Sequence, residues 1–160
     1  MINTFRYIYN SIKHPQLSDY LKMGMGIEKR ANVFSRYWSK HLQYTKEFIN
    51  QNLSVKKPES ISILGAGRLF DIDLSTICSI FRVVKLYDID PGVIPYWEKA
   101  RNKFSNLEFN LTDISGSVDE WSEILSNTKS VKILEKQINN LSSKSISLNS
   151  DVIVSLNILS

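Results

Sequence analysis

Four short stretches carry residue types able to hold a small ligand. They are Gly65 and Gly67 in SILGAGRLFDIDLS (62–75), Asp88 and Asp90 in LYDIDP, Asp113 in NLTDISG, and Asn157 just after VIVSL. Glycine has no Cβ, so it reaches positive φ and lets a ligand approach the backbone. A carboxylate accepts two hydrogen bonds at once, which suits the paired hydroxyls of a ribose. Asp113 has two readings: acceptor for an adenine amino group, or closure of the turn TDISG through its own backbone.

A Gly-x-Gly turn also suits a diphosphate at a helix N-terminus, and charge separates the two ligands. Asp71 and Asp73 sit at the start of the next apolar segment, Asp88 and Asp90 follow on the neighbouring stretch, and Arg68 is the loop's base. At ~6 Å and an effective dielectric near 20, each carboxylate repels a phosphate by about 3 kcal/mol before screening. Arg68 offsets one such repulsion and not several, so the residues describe a nucleoside pocket without a phosphate cradle. Asp73 is also a candidate helix N-cap.

These residues need a frame in which strand ends meet. From residue 61 apolar runs too short for helices alternate with helix-length segments. The runs are Ile61–Leu64, Arg82–Tyr87, Leu107–Leu111 and Val152–Leu156, and the intervals include Leu74–Ile80, Pro91–Phe104 and the polar stretch 117–150. Alternation of this kind predicts right-handed crossovers and a parallel sheet, in an α/β fold whose ligands settle at the carboxyl ends of the strands. All four stretches above fall at such ends. Pro91 suits a first helical turn, Ser117-x-x-Glu120 has the form of a capping box, and Val131, Leu134, Ile138 and Leu141 recur at helical spacing. Before the sheet, Ile27, Ala31, Phe34, Trp38, Leu42, Thr45 and Ile49 recur at three and four, predicting one helical face turned to a core. His14-Pro15 and Met23–Gly26 predict breaks that leave shorter helices ahead of it.

Composition sets the bounds. A chain of 160 residues, 42% hydrophobic, buries one ordinary core. Residues 1–60 hold ten of the 20 Lys/Arg but only four of the 16 Asp/Glu. A basic leader thus precedes a mildly acidic remainder, and the small overall surplus does not indicate a dedicated nucleic-acid binder. Cys78 stands alone and His14 and His41 are the only histidines, which excludes a disulfide framework and leaves no zinc-site spacing. No apolar stretch approaches the ~18 residues of a membrane span, and the leader lacks a secretory h-region. A reducing, cytoplasmic setting is expected.

The succession ILGAG, LYDIDP, Ala100 on the following helix, LEFNLTD and DVIVSLN resembles the first four motifs of the class I methyltransferases that use S-adenosylmethionine, over residues 61–160. The leader EKRANVFSRYWSKHL, with Arg30, Trp38 and His41, is similar to the N-terminal extension of one bacterial branch of that family. The resemblance implies a Rossmann-like parallel sheet over residues 59–160 behind a basic helical extension, residues 1–58. S-adenosylmethionine is the implied cofactor. Gly65 and Gly67 would line its methionine and ribose, Asp88 would hold the ribose hydroxyls, Asp113 would meet the adenine, Asn157 would border methyl transfer, and Ala66 and Ile89 are counted among the cofactor-binding residues. The sequence departs from the family where an acid usually precedes the first glycine, at Ile63, and where a third glycine is usual, at Leu69. Asp71 or Asp73 is then a candidate for the missing contact.

The family's sheet has order 3-2-1-4-5-7-6, so an incomplete sheet of about four strands is expected, truncated after the fourth and catalytically impaired. Strand four would be an apolar edge on which a homodimer could pair. No catalytic residue and no methyl acceptor is assigned. Two other readings stand beside this one: an NAD(P)-binding oxidoreductase fragment, and a non-catalytic interaction domain whose glycine loop binds nothing.

Overall fold

The computed structural model describes residues 15–53, 59–116, 118–127 and 147–156, together with Ile12. The chain divides into two compact units, Met1–Thr112 with Asn149–Ser160, and Asp113–Leu148. In the first, a 3-10 turn at Pro15–Leu17 leads into helices α1 (Ser18–Val33) and α2 (Ser35–Asn52). Then follow β1 (Ser60–Leu64), α3 (Leu74–Ile80), β2 (Val83–Asp88), α4 (Ile94–Arg101) and β3 (Leu107–Leu111). The second unit contains α5 (Val118–Asn127), and the chain returns to the first for β4 (Val152–Ser155).

The four strands form one parallel sheet in the order β3-β2-β1-β4. The α/β class and its parallel sheet are therefore as the alternation of segments predicts. Ile63 lies in register with Leu86 of β2 and Val154 of β4, which makes β1 a central strand. Ile61, Ser62, Ile63 and Leu64 are all buried, as befits a strand covered on both faces. Ser62 is accommodated by a 2.7 Å hydroxyl contact to Ser150.

The core gathers Ile61, Ile63, Ile77, Val84, Leu86 and Trp97, and α2 adds Ile49 while Leu53 follows from its end. Asp151 fastens β4 beside β1: one carboxylate oxygen accepts from the Glu59 and Ser60 N–H groups, at 2.9 and 2.8 Å, and from the Ser60 hydroxyl at 3.0 Å. Pro91 opens a 3-10 turn, Pro91–Val93, rather than α4 itself, whose first turn holds Pro95.

The helical leader differs from the periodic reading in two places. Met23–Gly26 does not break a helix; α1 runs through both glycines. Phe34 (φ −107°, ψ 23°) does interrupt the predicted single helix, although Phe34 N–H to Arg30 O and Trp38 N–H to Phe34 O bonds, 2.8 and 3.0 Å, hold the winding on either side. Of the predicted inward face, Ile49 is buried and Ala31, Trp38, Leu42 and Thr45 are half-buried, whereas Ile27 and Phe34 are exposed. Ser117, the Val131–Leu141 stripe and Asn157 lie outside the described residues.

Candidate functional site

The loop after β1 keeps the conformation that glycine makes accessible. Gly65 and Gly67 have φ of 67° and 52°. At Gly67 an added Cβ would find its nearest neighbour at 3.8 Å, so backbone conformation and not crowding calls for glycine there. Leu69 also has positive φ, 65°, a left-handed backbone under a leucine side chain.

The protein's own groups satisfy this loop. Ala66 N–H donates to Tyr87 O at 3.0 Å, stitching the turn to the end of β2, and Leu69 N–H donates to Ala66 O at 3.1 Å. Gly67 N–H donates to Asp88 Oδ2 at 2.8 Å, while Asp88 Oδ1 accepts from Asp90 N–H at 2.9 Å. The buried Trp97 indole donates through Nε1 to Gly67 O at 2.9 Å. Trp97 is thus a core residue with a specific polar duty, in keeping with how buried tryptophans usually place their N–H. Asp88 is half-buried at the tip of β2, Ile89 is half-buried beside it, and Ala66 is buried.

Arg68 is buried against the protein's own carboxylates. Its side chain is only 6% exposed, and Nη1 lies 3.1 Å from Asp90 Oδ2. Nε lies 3.5 Å from Glu28 Oε2, an ion pair without a hydrogen bond's alignment. The guanidinium also lies over the Tyr96 ring, 5.7 Å from its centroid. Burial pushes the Asp90 carboxyl above the usual range, an effect that its Gly92 N–H bond and Arg68 only partly counter and the charge of Asp88 reinforces. Burial raises the Tyr96 hydroxyl too, helped by its hydrogen bond to Glu28 and that group's charge.

Gly24 makes this cluster possible. A Cβ there would fall on Asp90 Oδ2 and come within 2.6 and 2.8 Å of the Arg68 nitrogens Nη1 and Nη2. Gly24 and Glu28, one turn apart on α1, therefore present a gap and then a carboxylate to the arginine. Sequence reasoning assigned Arg68 to offsetting phosphate repulsion and overlooked Glu28. The available signal was a glycine in a helix interior, which commonly marks a close approach.

Asp73 is the N-cap of α3. It accepts from Thr76 N–H at 3.3 Å, from the Ser75 and Thr76 hydroxyls at 2.6 and 2.7 Å, and from Asn50 Nδ2 at 3.3 Å. Hydrogen bonds from the Ser75 and Thr76 hydroxyls hold its carboxyl well below the usual range. Asp71 is half-buried.

In the second unit, Asp113 closes its own turn. Oδ1 accepts from Ser115 N–H and Oγ, at 2.9 and 2.6 Å, and Oδ2 accepts from Val118 N–H at 2.8 Å, at the start of α5. Burial pushes its carboxyl up, but the Ser115 hydroxyl and the Val118 and Ser115 N–H groups outweigh it and leave the carboxyl below the ordinary range. Burial lifts the Cys78 thiol to about 11, which removes it as a thiolate nucleophile near neutrality. Among the described residues no three of His, Cys, Asp and Glu could hold a metal ion, and no helix is long and apolar enough to cross a membrane.

Compared with protein-family models and with the sequences of curated proteins, the chain matches none.

Proposed function

We propose that the sheet and its glycine loop form a nucleoside-binding domain of the methyltransferase type, with S-adenosylmethionine as its ligand. The supporting observation is the state of the loop's donors. Gly67 N–H is taken by Asp88, Thr76 N–H by Asp73, and Arg68 Nη1 by Asp90, while Glu28 lies 3.5 Å from Arg68 Nε as an ion pair. A diphosphate would have to displace these carboxylates from the donors it needs. The Asp88 carboxylate has about four lone-pair sites, and two of them accept backbone N–H groups. A ligand that brings donors and positive charge fits what is left, and S-adenosylmethionine brings ribose hydroxyls, an ammonium and a sulfonium. In this reading Asp88 takes the ribose hydroxyls and Gly65, Ala66 and Gly67 flank the sugar and methionine portion. No catalytic base or methyl acceptor is assigned.

A second reading, a domain that binds no small molecule, draws on the same fact, since a loop whose donors are internally satisfied needs no ligand. Calorimetry on the native chain separates them. S-adenosylhomocysteine is expected to bind and NADPH not. Asp88→Asn, whose single amide oxygen keeps only one of the Gly67 and Asp90 N–H bonds and which lacks the charge, is expected to weaken binding at least about 10- to 100-fold, the worth of a charge-assisted hydrogen bond. Heat with NADPH and none with S-adenosylhomocysteine would refute the methyltransferase reading. No heat with either would establish the second.

A further inference from the structure

Helix α2 carries two apolar stripes, and the sheet unit uses only one. The inward stripe ends in buried Ile49, with Trp38, Leu42 and Thr45 half-buried. The outward stripe comprises Phe34 at the helix cap, Tyr37, His41, Tyr44, Phe48 and Gln51, spaced three, four, three, four and three. Its aromatic members are 48%, 78%, 66% and 68% exposed, and His41 and Gln51 are exposed as well. Single exposed apolar residues are ordinary, but a contiguous row at a 3.5-residue period is the seam of a helix–helix contact.

We propose that this face binds the same face of a second copy of the chain, the two α2 helices running antiparallel. Pairing 41 with 44 of the second copy also sets Tyr37 against Phe48 and Phe34 against Gln51. A two-fold axis between residues 42 and 43 generates every layer, as an isologous contact requires. The flank of the seam away from the sheet carries Lys40 and Glu47, seven residues apart. In this register Lys40 of one copy meets Glu47 of the other, twice by symmetry, whereas a parallel pair would not join them. Area supports the same occupant: at ~200 Å² for a fully buried aromatic ring, the four aromatics offer on the order of 500 Å² per copy. A symmetric pair therefore buries about 1,000 Å² before His41, Lys40 and Gln51 contribute, the level at which a specific interface becomes sustainable.

Sedimentation equilibrium of the native chain at ~100 µM, above the Kd of ordinary specific pairs, is expected to give twice the 18.4 kDa monomer mass. Tyr44→Lys, at an exposed position that leaves the fold intact by circular dichroism, is expected to weaken the dimer at least tenfold. Lys40→Glu and Glu47→Lys are each expected to weaken it, and the two together to restore it. A native monomer, a dimer indifferent to Tyr44→Lys, or a charge-swapped double variant that fails to recover would each overturn the proposal. So would a monomer that binds a labelled single-stranded oligonucleotide through Tyr37, Tyr44 and Phe48.

Discussion

Replacing Gly24 by alanine tests whether α1 is locked onto the glycine loop through the buried ions. On helix propensity alone, alanine for an interior glycine stabilises by about 1 kcal/mol. Gly26 is the control, because its new Cβ would meet only Arg30 Nη1, at 3.5 Å, so Gly26→Ala is expected to gain about 0.5–1 kcal/mol. At Gly24 the methyl would fall on Asp90 Oδ2 and crowd Arg68 Nη1 and Nη2. If α1 backs away, the overpacking costs about 1–3 kcal/mol. If the ions part instead, Arg68 keeps only the looser Glu28 contact, and breaking a buried pair costs about 3–5 kcal/mol. The softer route should prevail, leaving a net loss of up to about 2 kcal/mol after the propensity gain.

Urea unfolding followed by circular dichroism reads this directly: Gly24→Ala should lower the midpoint at unchanged m while Gly26→Ala raises it. The corresponding shifts are about 2–4 °C per kcal/mol for a chain of this size. Combining Gly24→Ala with Asp90→Ala removes the atom in the way, so the double variant should lose less than the sum of the two single losses, by about 1 kcal/mol or more. Gly24→Ala as stable as Gly26→Ala would refute the packing argument.

Three other outcomes are expected. Asp73→Ala removes the cap of α3 and should cost about 1 kcal/mol at neutral pH. Because the folded carboxyl lies below its unfolded value, that difference should shrink as pH falls below ~4, read from paired urea curves across pH. Trp97→Phe leaves Gly67 O without its indole donor and should cost about 1–3 kcal/mol in the same assay. Asp151→Ala frees the Glu59 and Ser60 N–H groups that its carboxylate accepts from, so hydrogen exchange at those two amides should quicken while α3 amides stay protected.

Local signals were legible where the physics is local. Leu74–Ile80 reads as a helix because Asp73 begins it and its own next residues satisfy the cap. Leu107–Leu111 reads as a strand between turn residues, and β1 as an apolar run broken only by Ser62, in keeping with burial on both its faces. The loop's chemistry was less legible, since its decisive contacts join residues far apart in sequence. Arg68 to Asp90 spans 22 positions, Asn50 to Asp73 spans 23, and Trp97 to Gly67 spans 30. No periodicity encodes which carboxylate an arginine will find. Met23–Gly26 misled for the same reason: glycine was read as a breaker because its reason for being there, the Arg68–Asp90 pair, lies on another element.

Leu69 poses the converse problem, a residue at odds with its own backbone. A leucine at φ 65° bears a left-handed conformation that costs about 1–2 kcal/mol for a side chain with a Cβ. It is retained because Leu69 packs against the core while its N–H closes the turn on Ala66 O. Truncation separates the two effects. Leu69→Ala loses the packing and keeps the strain, whereas Leu69→Gly loses the same packing and releases the strain, less about 0.5–1 kcal/mol of added unfolded-chain freedom. Glycine should therefore match or exceed alanine here by up to about 1.5 kcal/mol, the reverse of their usual order in an ordered segment. Both should fall below the native chain in urea midpoint. If Leu69→Gly proves the less stable of the two by the ordinary ~1 kcal/mol, the turn does not hold position 69 in the left-handed region.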